Sequence, residues 1–106
     1  MTLSSKPAVP VTKMYQLGFG RRAQKEWNKL SKPIQLQFAL KLKERLKSPH
    51  VAKDALSGMP HCYKIKLRSI GFRLVYQVID QTLIVTVVAV GKRERNEVYR
   101  KARERL

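Results

Sequence analysis

The spacing of the apolar residues changes near residue 62. Residues 63–68 alternate apolar and cationic side chains, residues 72–79 continue the alternation, and residues 83–90 are almost entirely apolar. Alternation with a period of two predicts half-buried strands, and a continuous apolar run predicts a strand buried on both faces. Residues 69–71 and 80–82 are short enough for hairpin turns. The second half of the chain therefore predicts three antiparallel strands, the last of them central in the sheet.

The first half of the chain combines one strand pattern with two helical patterns. A strand is predicted over residues 13–19 and a first helix over residues 21–30. A second helix over residues 33–47 can be capped by Ser31. Residues 49–61 predict a loop, and residues 96–106 predict a short helix capped by Asn96. Together these elements predict an α+β domain, with about four antiparallel strands, two N-terminal helices packed on one face and a short C-terminal helix.

The length and the cysteine content limit the classes of protein to which this chain can belong. A chain of 106 residues predicts one domain, over residues 13–106, preceded by a flexible extension over residues 1–12. Cys62 is the single cysteine, so no internal disulfide is possible, which suits the reducing cytosol. No apolar run approaches the roughly 20 residues of a membrane-spanning helix, and the N-terminus lacks the apolar stretch of a signal peptide. We therefore expect a cytoplasmic protein without a membrane partner.

The charge balance is the abnormal feature of the composition. Lys and Arg number 23 against 7 Asp and Glu, which gives a net charge of +16. Solubility requires a far smaller charge, so a polyanionic partner is favoured over the alternative that these cations serve solubility alone. Nucleic acid fits best, and an acidic protein partner is also expected, to neutralise this surface between encounters with RNA.

The predicted hairpin carries a cationic face. Alternation sends Lys64, Lys66 and Arg68 to one face of the strand and its apolar residues to the other. A register that keeps both strands' apolar residues together places Lys66 near Arg73, with Lys64 within reach. A solvated face could tolerate these cations, but their concentration without neighbouring acids favours a phosphate-binding surface.

A second basic segment, residues 91–96, follows the long apolar strand directly. If Asn96 caps the last helix, Tyr99 falls in its first turn, close to Arg93. A tyrosine beside arginines can stack on a base while the arginines hold the phosphate. Packing of the helix against the sheet explains Tyr99 equally well, and both interpretations stay open at this point.

The side chains restrict the chemistry that such a site can perform. His50 and His61 lie in one predicted loop, and with Cys62 they make only a weak metal set. The acids are scattered, which disfavours a two-metal site, so neither a metal nor a cofactor is expected. RNA, however, supplies its own nucleophile, the 2′-OH. Clustered cations can stabilise the charge that develops on the phosphate, and a lysine among other cations can accept a proton. Passive RNA binding by a noncatalytic module remains the alternative.

Five segments of the chain resemble the RelE toxins of type II toxin–antitoxin systems, a family of the RelE/ParE superfamily. They are residues 23–30 (AQKEWNKL), 56–60 (LSGMP), 62–69 (CYKIKLRS), 73–80 (RLVYQVID) and 90–99 (VGKRERNEVY). The resemblance implies the RelE-like fold and cleavage of mRNA in the ribosomal A site through attack by the 2′-OH. An inactive toxin relative is a further alternative.

The resemblance also assigns roles by position. It implies that Arg73 stabilises charge on the phosphate, that Arg93 is the general acid, that Lys64 or Lys66 activates the 2′-OH and that Tyr99 stacks on a base. Other cations are expected to bind RNA or the ribosome: Arg68, Lys92, Arg95, Lys41, Lys43 and Arg45. The expected partners are mRNA, the 70S ribosome with its 16S rRNA, and a RelB-type antitoxin, with operator DNA reached only through the antitoxin complex.

Overall fold

Four strands form one sheet in the computed structural model, which describes residues 14–106. They are β1 (Gln16–Phe19), β2 (Cys62–Leu67), β3 (Phe72–Ile79) and β4 (Ile84–Lys92), arranged in the order β1-β4-β3-β2. The apolar β4 has a strand on each side, so its predicted central position is confirmed. The predicted extension over residues 1–12 and the predicted strand start at Lys13 lie outside the described residues.

The direction of β1 differs from expectation. The pairs β2–β3 and β3–β4 are antiparallel as predicted, but β1 pairs with β4 in parallel, so the sheet is mixed. A hydrophobic pattern encodes which residues are buried, not the direction in which a strand runs. Two helices and a hairpin separate β1 from β4 along the chain, and this long connection allows the parallel pairing.

The helices occupy the predicted stretches. They are α1 (Arg21–Asn28), α2 (Lys32–Lys47) and α3 (Glu97–Arg105), and the predicted loop holds a 3-10 helix at Ala52–Asp54. Ser31 and Asn96 stand at the N-cap positions of α2 and α3, but neither side chain makes a capping hydrogen bond. None of the helices in residues 14–106 is both long and apolar enough to cross a membrane.

One face of the sheet forms the main core with α1 and α2. Ala23 from α1 and Phe38 and Leu42 from α2 are buried against it. The strands contribute apolar side chains that alternate along each strand except at an irregularity in β4, where the register with β3 shifts. They are Tyr63, Ile65, Leu67, Leu74, Tyr76, Val78, Val85, Val87 and Val90. The two N-terminal helices therefore share one face, as predicted.

The opposite face of the sheet, called the second face below, is only partly open. Val98 and Ala102 of α3 bury Val75, Val88 and Ala89 there. An apolar stripe on a short helix needs a partner, and these strand residues provide it. What remains exposed is the end of this face at β2 and the start of β3, where the cations lie.

Glu26 and Arg105 complete the outer edge of β4. The register with β1 ends at Val87. Beyond it, the N–H of Val90 donates to Glu26 Oε1 at 3.1 Å, and Arg105 donates to the carbonyl of Val88 at 2.9 Å. The two side chains also pair with each other at 2.8 Å. This ion pair thus satisfies backbone groups that a longer β1 would otherwise have bound.

Candidate active site

A cleft of about 160 Å³ opens at the exposed end of the second face. It lies between the end of β2, the start of β3 and the segment that joins β4 to α3. Cations from three elements line it together with a tyrosine. The full lining is Lys66, Arg73, Lys92, Arg93, Glu94, Asn96, Glu97, Val98 and Tyr99. We call this the cationic cleft.

The sheet register brings the hairpin cations together. Lys66 lies opposite Arg73 in the β2–β3 pair, and Lys64 is two residues away on the same face, opposite Val75. The predicted register is therefore confirmed. A shift of one residue would turn all of these cations into the apolar core, where an unpaired charge costs several kcal/mol.

Lys66 is the cation best placed to lose a proton. The positive charge of Lys64 lowers the pKa of Lys66, and partial desolvation and the charges of Arg68 and Arg73 act in the same direction. The carboxylate of Asp54 opposes them. A lysine with a lowered pKa is a neutral amine for a larger fraction of the time, so it can act as a proton acceptor.

Arg73 is the one charged residue among the buried side chains of residues 14–106, with 7% of its surface exposed. Its guanidinium donates to the carbonyl of Phe72 at 2.9 Å. None of the ion pairs within this described part of the chain includes Arg73. A buried cation without a carboxylate partner is unfavourable by itself and becomes favourable when an anion binds.

The segment between β4 and α3 is held close to the hairpin turn. The N–H of Arg93 donates to the carbonyl of Gly71 at 2.7 Å. Arg95 and Asn96 follow with φ angles of 48° and 60°, a left-handed conformation that is costly for residues other than glycine. This tight turn starts α3 beside the sheet and places both Arg93 and Tyr99 on the cationic cleft.

Tyr99 takes part in the packing of α3 and also borders the cleft. Its ring packs against the apolar cluster under α3, and the residue also lines the cationic cleft. Its hydroxyl is buried and makes no hydrogen bond of good geometry within the described residues, although the guanidinium of Arg73 lies near enough to interact with it. Burial raises the pKa of Tyr99, while the nearby positive charge of Arg73 acts against that rise. An unpaired phenol beside a buried arginine is ready to donate to a bound phosphate or ribose oxygen. Stacking of Tyr99 on a base stays a prediction.

The cations expected to bind RNA surround the cleft unequally. Arg68, Lys92 and Arg95 are exposed, and Lys92 also lines the cleft. Lys41 and Arg68 line a second groove that shares Lys66 with the cleft, and Lys43 is exposed on the same helix as Lys41. The cleft and the groove form a continuous cationic surface, which we call the basic surface, whereas Lys43 and Arg95 line neither of them.

Arg45 differs from the other cations of this set because its side chain is engaged within the protein. It pairs with Asp54 at 2.7 Å and donates to the hydroxyl of Tyr76 at 2.7 Å. Its predicted role in RNA binding stays a prediction. Asp54 was not among the predicted site residues. Its position in the sequence, as the nearest acid before the hairpin, could have indicated that it lies near the site.

The histidines lie away from the cationic cleft. His50 contacts the hydroxyl of Tyr63 and the carboxylate of Asp80, each at 2.9 Å, beside the far end of the hairpin. His61 precedes β2 and lines a shallow depression with Asp80, apart from the cleft. No group of three or more metal-ligating side chains occurs within residues 14–106.

Known proteins resemble this chain over most of its length. A model described as the ParE toxin of the type II toxin–antitoxin system parDE matches residues 17–97. A putative RelE-like toxin protein of Escherichia coli is 60% identical over 92 residues, and the mRNA interferase toxin RelE of strain K12 is 55% identical over 92 residues. Each alignment covers 87% of this chain and 97% of the relative.

A solved structure shares the fold. In the intact E. coli RelBE toxin–antitoxin complex, one chain is 56% identical to this one and superposes with a TM-score of 0.74. The superposition covers 76% of this chain and 99% of that chain. The mixed four-stranded sheet with its three helices is therefore the fold of these toxins.

Proposed function

Because the chain belongs to the RelE toxins of the RelE/ParE superfamily, we propose that it is an endoribonuclease toxin that cuts mRNA in the A site of the ribosome. The observation that carries this proposal is the pairing of Lys66 with Arg73 at the cationic cleft. One of these cations has a lowered pKa, and the other is buried without a carboxylate partner. A proton acceptor beside an unsatisfied anion site is what RNA transesterification requires.

The proposed reaction uses the RNA's own 2′-OH. Lys66, as the neutral amine, accepts the 2′-OH proton while the 2′-oxygen forms a bond to the adjacent phosphorus. Arg73 and Lys64 stabilise the extra negative charge on the phosphate oxygens. The bond to the 5′-oxygen then breaks, and Arg93 supplies the proton that this oxygen takes up. A leaving alkoxide is more basic than a guanidine, so this proton transfer is favourable. The products are a 2′,3′-cyclic phosphate and a free 5′-OH.

The substrate would be held by the basic surface. Tyr99 would orient a base or a ribose at the inner wall of the cleft. Lys92 at the cleft and Arg68 in the groove would hold neighbouring phosphates or rRNA, with Lys41 extending this surface along α2. The exposed Arg95 and Lys43 would make further contacts with rRNA. Phosphate contacts of this kind position the RNA without selecting its sequence. The scheme calls for no metal ion and no cofactor.

The proposed partners follow from the same family membership. The RelBE complex contains a toxin chain similar to this one, so we expect a RelB-type antitoxin to bind this chain. The net charge of +16 favours an acidic segment in that partner. Operator DNA would be bound only through the toxin–antitoxin complex, and the ribosome places the activity in the cytoplasm.

A cleavage assay tests the function directly. Purified protein is incubated with end-labelled mRNA, with and without ribosomes programmed with that mRNA, and the cut sites are mapped. We expect cuts at A-site codons only when ribosomes are present. Arg73→Ala and Arg93→Ala should each abolish cleavage while most ribosome binding, measured by cosedimentation, persists. Folded protein that binds ribosomes without cutting would instead identify a noncatalytic binding module.

A further inference from the structure

The outer edge of β2 has no neighbouring strand. β2 is the last strand of the sheet, and within residues 14–106 only Tyr63 forms a bridge on its outer side, with Ala55. The carbonyl of Cys62 accepts the N–H of Leu56 at 3.0 Å. At the next outward position, the carbonyl of Lys64 accepts Arg45 Nη1 at 3.3 Å. A side chain from α2 thus takes the place of a strand beside Lys64 and Lys66.

The guanidinium of Arg45 is held on several sides. Its second nitrogen pairs with Asp54 at 2.7 Å, and its first nitrogen also donates to the hydroxyl of Tyr76 at 2.7 Å. Its central carbon lies 5.6 Å from the centre of the Tyr76 ring. Tyr76 is fully buried and donates to the carbonyl of Pro49 at 2.8 Å. Arg45 is 16% exposed, so this arrangement differs from a mobile surface ion pair.

Asp54 connects this arrangement to the electrostatics of the cleft. Arg45, Asp54, Lys64 and Lys66 line the same groove, and the negative charge of Asp54 acts on Lys66. While Arg45 binds Asp54, its positive charge offsets that carboxylate. Without Arg45, Asp54 would be an unpaired acid beside the lysine that we assign as the proton acceptor.

We propose that Arg45, held by Asp54, is a positioning residue that fixes the backbone of β2 at Lys64 and thereby the two lysines of the cleavage site. The proposal rests on the proposed function, because it concerns the lysines assigned to that reaction. An edge strand without a partner can move, and a displacement of about 1 Å at reacting groups can slow a reaction by roughly 100-fold. Arg45 anchors that strand to α2 and to the core.

Four variants separate positioning from other roles. Arg45→Met removes the charge and the hydrogen bonds, and Arg45→Lys keeps the charge but cannot bind Asp54, Tyr76 and the Lys64 carbonyl together. Asp54→Asn is combined with Arg45→Met in a double variant. Lys47→Met removes one exposed cation from the same end of α2 and is the matched control.

Two measurements are made on each variant. The first is the single-turnover rate of mRNA cleavage on programmed ribosomes, as a function of toxin concentration. It gives the rate at saturation and the concentration for half-saturation. The second is the pKa of Lys66 in the free protein, from NMR titration of its side-chain nitrogen. Only the first depends on the ribosome.

We expect Arg45→Met to lower the saturating rate by about 10- to 100-fold, with little change in the half-saturating concentration. The pKa of Lys66 should rise, since Asp54 is no longer offset, and the double variant should return it towards the original value. Arg45→Lys should lower the saturating rate with the pKa of Lys66 nearly unchanged, and Lys47→Met should change neither quantity.

Other outcomes overturn the proposal. A folded Arg45→Met protein with the original saturating rate and the original Lys66 pKa would leave Arg45 as a purely structural residue. An effect confined to the half-saturating concentration would make Arg45 an RNA contact instead.

If Arg45→Met does not fold, the results for Arg45→Lys alone decide between these outcomes. If the unaltered protein cuts no mRNA, the proposed function fails. The pKa of Lys66 in the free protein then still shows whether Arg45 acts on this lysine.

Discussion

At the scale of single residues, the site is built from side chains that are unfavourable to the folded protein without a ligand. Arg73 is a buried cation without a carboxylate partner in residues 14–106, and the Tyr99 hydroxyl is buried without a hydrogen bond of good geometry in the same part of the chain. Each of these costs free energy of folding. Groups of this kind are typical of sites whose partner is a bound anion, because the ligand supplies the missing interactions.

This cost gives a prediction for Arg73. Arg73→Met keeps the length of the side chain but removes the buried charge. The free energy of unfolding should therefore stay unchanged or rise by up to about 1 kcal/mol. Cleavage on the ribosome should fall by at least about 100-fold, because the phosphate loses its buried cation. Urea unfolding and the cleavage assay measure the two quantities.

The control for this prediction is Lys47→Met, which removes an exposed positive charge and should leave both quantities unchanged. A loss of more than about 2 kcal/mol in Arg73→Met would show that this arginine stabilises the fold, as a satisfied buried group does. The cost argument would then be wrong, whatever happens to cleavage.

At the scale of secondary structure elements, the edges of the sheet are completed by side chains. Arg45 of α2 covers the edge of β2, and Glu26 of α1 with Arg105 of α3 covers the edge of β4 beyond β1. Arg45 and the Glu26–Arg105 pair each join a helix to the edge of a strand, so each fixes the relative position of elements that are distant in sequence. The Glu26–Arg105 pair also holds the end of α3 against α1 and β4.

The Glu26–Arg105 pair predicts a contribution to acid stability. Burial by itself would raise the pKa of Glu26, but the hydrogen bonds from Arg105 and Val90 and the charges of Arg105 and Lys101 lower it below its ordinary value of 4.5. A carboxyl group whose pKa is lowered by folding stabilises the protein above its unfolded pKa. That contribution is lost as the pH falls through the folded pKa.

Arg105→Met should therefore lower the stability at neutral pH and reduce its fall below pH 4.5, the range in which Glu26 takes up its proton. Thermal unfolding at a series of pH values measures this dependence. Arg103→Met removes a neighbouring exposed charge from α3 and is the matched control. Equal pH dependence in Arg105→Met and the unaltered protein would mean that Glu26 keeps its low pKa without Arg105.

At the scale of the whole molecule, many of the positively charged side chains gather on one surface. The net charge of +16 opposes compact folding, and no part of the fold needs it. The cleft and the groove join the cations of the hairpin, of α2 and of the β4–α3 segment into the basic surface. A polyanion bound there would neutralise much of the repulsion, whereas cations elsewhere act only at longer range.

This uneven distribution predicts how RNA binding depends on salt. Replacing Lys41, Lys53 and Arg68, which all line the groove, together by Met should reduce the slope of log affinity against log salt by about 2, from roughly 0.7 per phosphate contact on single-stranded RNA. Replacing Arg21, Arg22 and Lys25 of α1 by Met removes the same charge from another side. Fluorescence anisotropy with a labelled single-stranded RNA measures both slopes, and equal reductions would contradict a localised binding surface.

The sequence by itself determined the hairpin and its cationic face. The period of two in residues 63–68 and 72–79 excludes register shifts of one residue, which would bury cations, and the short turn at residues 69–71 selects the register that places Lys66 opposite Arg73. The central position of β4, the two helices and their common face followed in the same way. These features depend on local periodicity and on burial, and the order of apolar and polar residues along the chain shows both directly.

Only the tertiary structure decided the features that join distant segments. These are the parallel pairing of β1, the packing of α3 on the second face, the engagement of Arg45 by Asp54, and the double position of Tyr99 in the core and in the cleft. An alternating pattern is the same for a strand that runs in either direction. The sequence around a cation on a helix is also the same whether that cation faces solvent or pairs with an acid. Such choices depend on which surfaces meet when the chain folds, and no local pattern contains that information.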